Sequence, residues 1–166
     1  MPSLRLSVAI VMQRFPLRNR WADEQWRPVE ADAGDTGEAT LERLQDDAAG
    51  TRWRFGGLAI ELHPSESEGY YLNLTSDEPK VFVLWRLESE LEPPAHPVQV
   101  TVSYNEAGRF MDGGEQVEAV PMPDAVRAWM APFVTEHYKP EPRRKSRRNE
   151  LYQRDGEPTD GGGPAK

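Results

Sequence analysis

The chain has 166 residues, no cysteine and a formal net charge of −8. Its length fits one domain with a tail, and the lack of thiols excludes disulfides, cysteine-held iron–sulfur clusters and a thiol nucleophile. Charge is uneven: residues 1–140 carry 13 Lys and Arg against 23 Asp and Glu, net −10, and residues 141–166 carry 7 against 5, net +2. The acidic body lacks the basic face that a general nucleic-acid platform needs.

From the N-terminus, Leu4, Leu6, Val8, Ile10 and Met12 alternate with mostly more polar neighbours and predict a strand that Pro16 stops. This apolar run is too short to span a bilayer, and Gln13, Arg14 and Phe15 follow it in place of a small-residue cleavage site. A cytoplasmic protein without a signal peptide is expected. A loop from Arg14 to Trp26 then holds three arginines and two tryptophans, and an extended stretch runs on to Ala31.

Residues 32–50 are acidic and contain no aromatic side chain. They predict a short helix over Glu38 to Asp47 or a mobile connection. A strand follows from Trp53 to Leu62, and its Gly56-Gly57 pair predicts a bulge or the close approach of another backbone.

The stretch Gly69 to Glu88 predicts a central hairpin. Tyr70, Leu72 and Leu74 alternate with Tyr71, Asn73 and Thr75 in the first arm, and Pro79 marks the turn. The second arm, Lys80 to Leu87, is apolar on both faces, which places it, with Trp85, at the centre of the fold. Val98 to Tyr104 alternates as a half-buried strand, Asn105 to Gly114 reads as a loop, and Val117 to Val120 is a short strand. Pro123 opens a helix whose stripe is Val126, Trp129, Met130, Phe133, Val134 and His137, with a kink expected at Pro132.

The expected fold is mainly β. Residues 1–140 form a curled antiparallel sheet or small barrel of about seven strands with one C-terminal amphipathic helix. Residues 141–166 form a disordered basic tail, too polar to offset the entropy of ordering.

Three groups of residues are candidate sites. Arg14, Arg18, Asn19, Arg20, Trp21 and Trp26 would form a partner- or anion-binding patch, because guanidiniums pair with carboxylates and phosphates and tryptophan anchors interfaces. The plainer reading is that the rings cover one barrel end and the arginines are solvated. Tyr71, Asn73, Tyr104 and Asn105 would line a cleft if their strands are neighbours, against ordinary cross-strand pairing on a solvated face. Arg143, Arg144, Lys145, Arg147 and Arg148 would meet RNA, anionic lipid or an acidic protein, or would simply solvate the tail. His63, His96 and His137 have no metal-ligand spacing, and there is no nucleophile elbow, phosphate loop or dinucleotide fingerprint. No catalytic or metal residue is therefore assigned, and a binding protein is expected over an enzyme.

The segments VAIVMQRFPLRNRWADEQWRPV, GYYLNLTSDEPKVFVLWR, VTVSYNEAGRFMDGGEQVEAVPMP and AWMAPFVTEHYKPEPRRKSRRN resemble a bacterial family of small domains of unknown function. Its members are often encoded beside molybdenum-dependent formate dehydrogenase genes. Asn19-Arg20-Trp21 and Tyr71-Leu72-Asn73-Leu74 carry the motifs, and the resemblance covers nearly all of residues 5–149 apart from 32–50. It implies an accessory role: binding formate dehydrogenase or its maturation factors during assembly or cofactor loading. Some members are labelled molybdopterin-guanine dinucleotide biosynthesis protein A, which implies a second reading, binding or processing of that cofactor. Arg18, Arg20 and the tyrosines would then meet its phosphates and rings. The glycine-rich phosphate loop of the true nucleotidyltransferase has no counterpart in a strand ended by Pro16. RNA or anionic-surface binding through the basic tail is a third reading. The order of strands and then a helix also resembles pleckstrin-homology-like barrels, in layout alone.

Overall fold

The computed structural model of the chain describes residues 4–19 and 22–140, the side chains of 17–19 and 22–24 excepted. Among these residues, β1 (Leu4–Asn19), β2 (Ala22–Asp32), β3 (Leu41–Asp47) and β4 (Gly50–Leu62) form one antiparallel sheet in the order β2-β1-β4-β3. β5 (Lys80–Leu87), β6 (Ala95–Thr101) and β7 (Gln116–Pro121) form a second, in the order β6-β5-β7. Three α-helices accompany them: α1 (Ser67–Leu74), α2 (Tyr104–Asp112) and α3 (Asp124–His137). No described helix is long and apolar enough to cross a membrane.

Apolar alternation puts Val8, Ile10, Met12, Ile60 and Leu62 of the long sheet into one core with Val81, Val83 and Trp85 of β5. Val126, Met130, Phe133 and Val134 of α3 complete that core, as their helical spacing predicts. β5 is buried on both faces, since Phe82 and Leu84 are buried as well. The two sheets remain separate: β4 lies beside β6 and β2 beside β7, without a ladder joining them. The expected curled sheet or small barrel of about seven strands is thus, among the described residues, seven strands in two open sheets over a shared core, and the single expected helix is one of three.

Several local expectations are corrected. The first arm of the central hairpin is α1, not a strand. Tyr70, Asn73 and Leu74 stand three and four apart, so the same residues also make one helical face. Tyr70 and Asn73 are buried while Tyr71 and Leu72 are exposed. The loop 105–114 is largely α2, whose N-cap is Ser103: its Oγ accepts from the Glu106 N–H at 3.0 Å. The Glu38–Asp47 region holds strand β3, not a helix, because it pairs with β4.

Proline placement follows the sheet edges. Pro16 does not end β1; pairing with β4 stops at Arg14↔Thr51, so only β2 flanks the strand there and no ladder bond is lost on the other side. Gly56-Gly57 is the close approach its sequence predicts. A Cβ on Gly57, where φ is +93°, would lie 2.7 Å from the Ala39 Cα, and the strand register shifts opposite, between Val8 and Ile10.

The outer face of the long sheet is a charged ladder. Arg52 pairs with Glu30 at 3.4 Å, and Arg54 pairs with Asp32 at 3.1 Å and with Asp35 at 3.6 Å. The Gly34 N–H and then Arg54 hold the Asp32 carboxyl below its ordinary range.

Candidate functional site

Strand register assembles a cleft at the hairpin end of the long sheet. Arg14 on β1 sits opposite Trp26 on β2 and Thr51 on β4, and Thr51 sits opposite Asp46 on β3. Two residues towards the core, Met12 sits opposite Pro28 and Trp53, and Trp53 opposite Arg43. Residues two apart on a strand share a face, so both rows carry the core-facing surface on to the hairpin end of the sheet. Met12 is fully buried, Trp26 is 8% exposed, and Arg14 and Trp53 are half-buried. A bulge between Arg43 and Gln45 leaves Leu44 without a partner on β4 and returns Asp46 to the face of Arg43.

The connection from β5 to β6 supplies the other wall through Ser89, Leu91, Glu92 and Pro94, enclosing about 290 Å³. A polar relay crosses the floor. Arg14 Nη2 donates to Thr51 Oγ1 at 3.1 Å, Thr51 Oγ1 donates to Asp46 Oδ1 at 3.0 Å, and Arg43 Nη1 donates to Asp46 Oδ2 at 3.3 Å. The Arg43 guanidinium lies 5.8 Å from the Trp53 ring centroid. Two guanidiniums, two indoles and the carboxylates of Asp46 and Glu92 thus meet in one small cleft. That set can hold a side chain that is part apolar and part polar, and its relay fixes the donors in advance.

Of the predicted arginine–tryptophan patch, Arg14 and Trp26 line this cleft. Arg18 and Asn19 are described only as β1 backbone, and Arg20 and Trp21 lie outside the described residues. The second predicted group does not form a shared polar strand face. Tyr71 stacks on Tyr138 at 4.5 Å between centroids, on α1. Asn73 is buried and bonded to the backbone of Lys80 and Val102. Tyr104 is exposed at the start of α2, 5.8 Å from the Phe82 ring, and Asn105 donates to Glu68. Arg143, Arg144, Lys145, Arg147 and Arg148 lie outside the described residues.

Arg43, Asp46, Thr51, Trp53 and the 89–94 connection are site residues that sequence reasoning missed. The signal was cross-strand register, which became readable only once β3 was known to be a strand. A second polar cluster, where α1 meets α2, is consumed by the fold. Glu66 accepts from Ser103 Oγ at 2.6 Å and from Arg109, while Thr101 Oγ1 donates to Glu106 at 2.6 Å.

A family model described as a protein of unknown function, DUF3305, matches residues 7–147. The chain belongs to the DUF3305 family. The match runs from within β1 to beyond the end of α3 and so contains the whole cleft. No curated protein and no solved structure matches the chain.

Proposed function

We propose that this DUF3305 protein is a non-catalytic accessory protein that docks a partner chain in the Arg14–Trp26–Trp53–Arg43 cleft. The partner it serves is a molybdenum-dependent formate dehydrogenase or one of its maturation factors, during assembly or cofactor loading. The single observation that carries the docking reading is the in-register row Trp26–Arg14–Thr51–Asp46, which sets arginine and tryptophan, the residues that dominate interface anchors, in one pre-arranged cleft. The formate dehydrogenase part rests on the resemblance carried by the Asn19-Arg20-Trp21 and Tyr71–Leu74 motifs.

Size and charge favour a protein side chain over the dinucleotide cofactor. The cleft holds about 290 Å³, the lower end for even a drug-sized ligand. Asp46 already engages Arg43 and, through Thr51, Arg14, and with Glu92 the lining charges balance, so the cleft offers a pyrophosphate no net positive charge.

The test is capture of formate dehydrogenase from a formate-grown host by the tagged chain, compared with Arg43→Glu and Leu91→Asp, both at exposed positions. Loss of the enzyme from both variants at parental melting temperature is expected. Capture at parental yield by both would remove the cleft as the site. Failure of the parental chain to capture the enzyme would remove the partner.

A further inference from the structure

Among the described residues, β3 is paired on one side only. β4 covers one edge, and no described strand pairs with the other. Its side chains are exposed, including Leu41 at 49% and Leu44 at 47%. Such an edge is a template for one more strand.

Register says what an added strand would meet. Leu41, Arg43 and Asp46 sit opposite Phe55, Trp53 and Thr51 and so face the cleft side, whereas Glu42, Gln45 and Asp47 sit opposite Arg54, Arg52 and Gly50 and face outward. A segment laid along β3 would therefore extend both cross-sheet rows by one residue. Its alternate side chains would stand beside the cleft.

Charge then selects the occupant. β3 carries Glu42, Asp46 and Asp47 against Arg43, and Arg54, across from Glu42, is already paired with Asp32 and Asp35. Opposite charges directly across a strand pair attract, and like charges repel.

We infer that the free edge of β3 takes an extended basic segment of the partner by strand addition. The segment places Lys or Arg opposite Glu42 and Asp47, with its alternate apolar side chains on the cleft side. Main-chain bonds supply the affinity and the alternate side chains the selectivity. The inference rests on the reading of the cleft as a partner site and names the chemistry of what enters beside it.

The probe is a short, fluorescently labelled synthetic peptide of alternating lysine and valine, added to the full chain and followed by anisotropy. Two controls accompany it: the same peptide N-methylated at alternate residues, and a version with glutamate for lysine. Binding of the lysine peptide, failure of both controls, and an affinity about five- to tenfold weaker for Glu42→Lys are expected. Hydrogen exchange at the β3 amides should slow in the complex. No binding of the lysine peptide, equal binding of the N-methylated peptide, or unchanged affinity for Glu42→Lys would each overturn strand addition. If Arg43→Glu loses formate dehydrogenase while Glu42→Lys keeps both the enzyme and the peptide, the cleft reading stands and strand addition falls.

Discussion

Asn73 and Lys80 exchange two hydrogen bonds: Asn73 Nδ2 donates to the Lys80 carbonyl at 2.7 Å, and the Lys80 N–H donates to Asn73 Oδ1 at 2.9 Å. The side-chain amide thus takes the place of a strand neighbour at the first residue of β5. The same Nδ2 also donates to the Val102 carbonyl at 2.9 Å, just past β6. One buried side chain therefore ties α1 to both the central strand and the chain beyond its neighbour.

Asn73→Ala should cost about 3 kcal/mol or more, because it leaves buried backbone groups without partners. Asn73→Asp should not rescue it, since a carboxylate would oppose two carbonyl oxygens. Urea unfolding of the three proteins checks this. An alanine variant within a few tenths of a kcal/mol of the parent would show that water replaces the amide.

Trp85 and Phe133 belong to the same core cluster, with exposures of 7% and 5%. Trp85→Ala and Phe133→Ala should each destabilise by about 3–5 kcal/mol, and Arg127→Ala, exposed on α3, by less than about 0.5 kcal/mol. A melting temperature for Trp85→Ala close to the parent would show that β5 is not the centre of the fold.

Tyr70 supplies the pH dependence. Burial pushes its phenol from the ordinary 10 up to about 12, although the bond that its oxygen accepts from the His63 N–H acts in the opposite sense. Its folded-state value is raised, so the unfolded chain ionises first as pH rises. The stabilisation is complete below pH 10 and is lost as pH rises through about 12. Stability should therefore fall across that window, and Tyr70→Phe should flatten the fall. An equal alkaline slope in parent and variant would assign it to other groups.

The elements legible in the sequence are those with one dominant period. β5 shows apolar residues on both faces, β1 alternates, and the α3 stripe repeats at helical spacing. The Gly56-Gly57 pair was legible because only glycine tolerates so close a backbone. α1 was not, because eight residues containing Tyr70, Leu72, Asn73 and Leu74 satisfy both periods. α2 was masked by its polarity, although Ser103 and Glu106 stand at the spacing of a capping box. β3 was masked by its exposure, since an edge strand without a buried face shows no alternation. The site suffered accordingly: Arg14 and Trp26 were readable as interface residue types, whereas Arg43, Asp46 and the 89–94 wall join them only through register and the path of the β5–β6 connection.

The most direct measurement of the docking account is hydrogen–deuterium exchange of the full chain with and without saturating purified formate dehydrogenase. The account predicts slowed exchange concentrated in Arg43 to Trp53, in Ser89 to Pro94 and around Arg14 and Trp26, with α1 and α2 unchanged. Protection confined to the α1–α2 face or to residues 141–166, or no change at saturation, would contradict it.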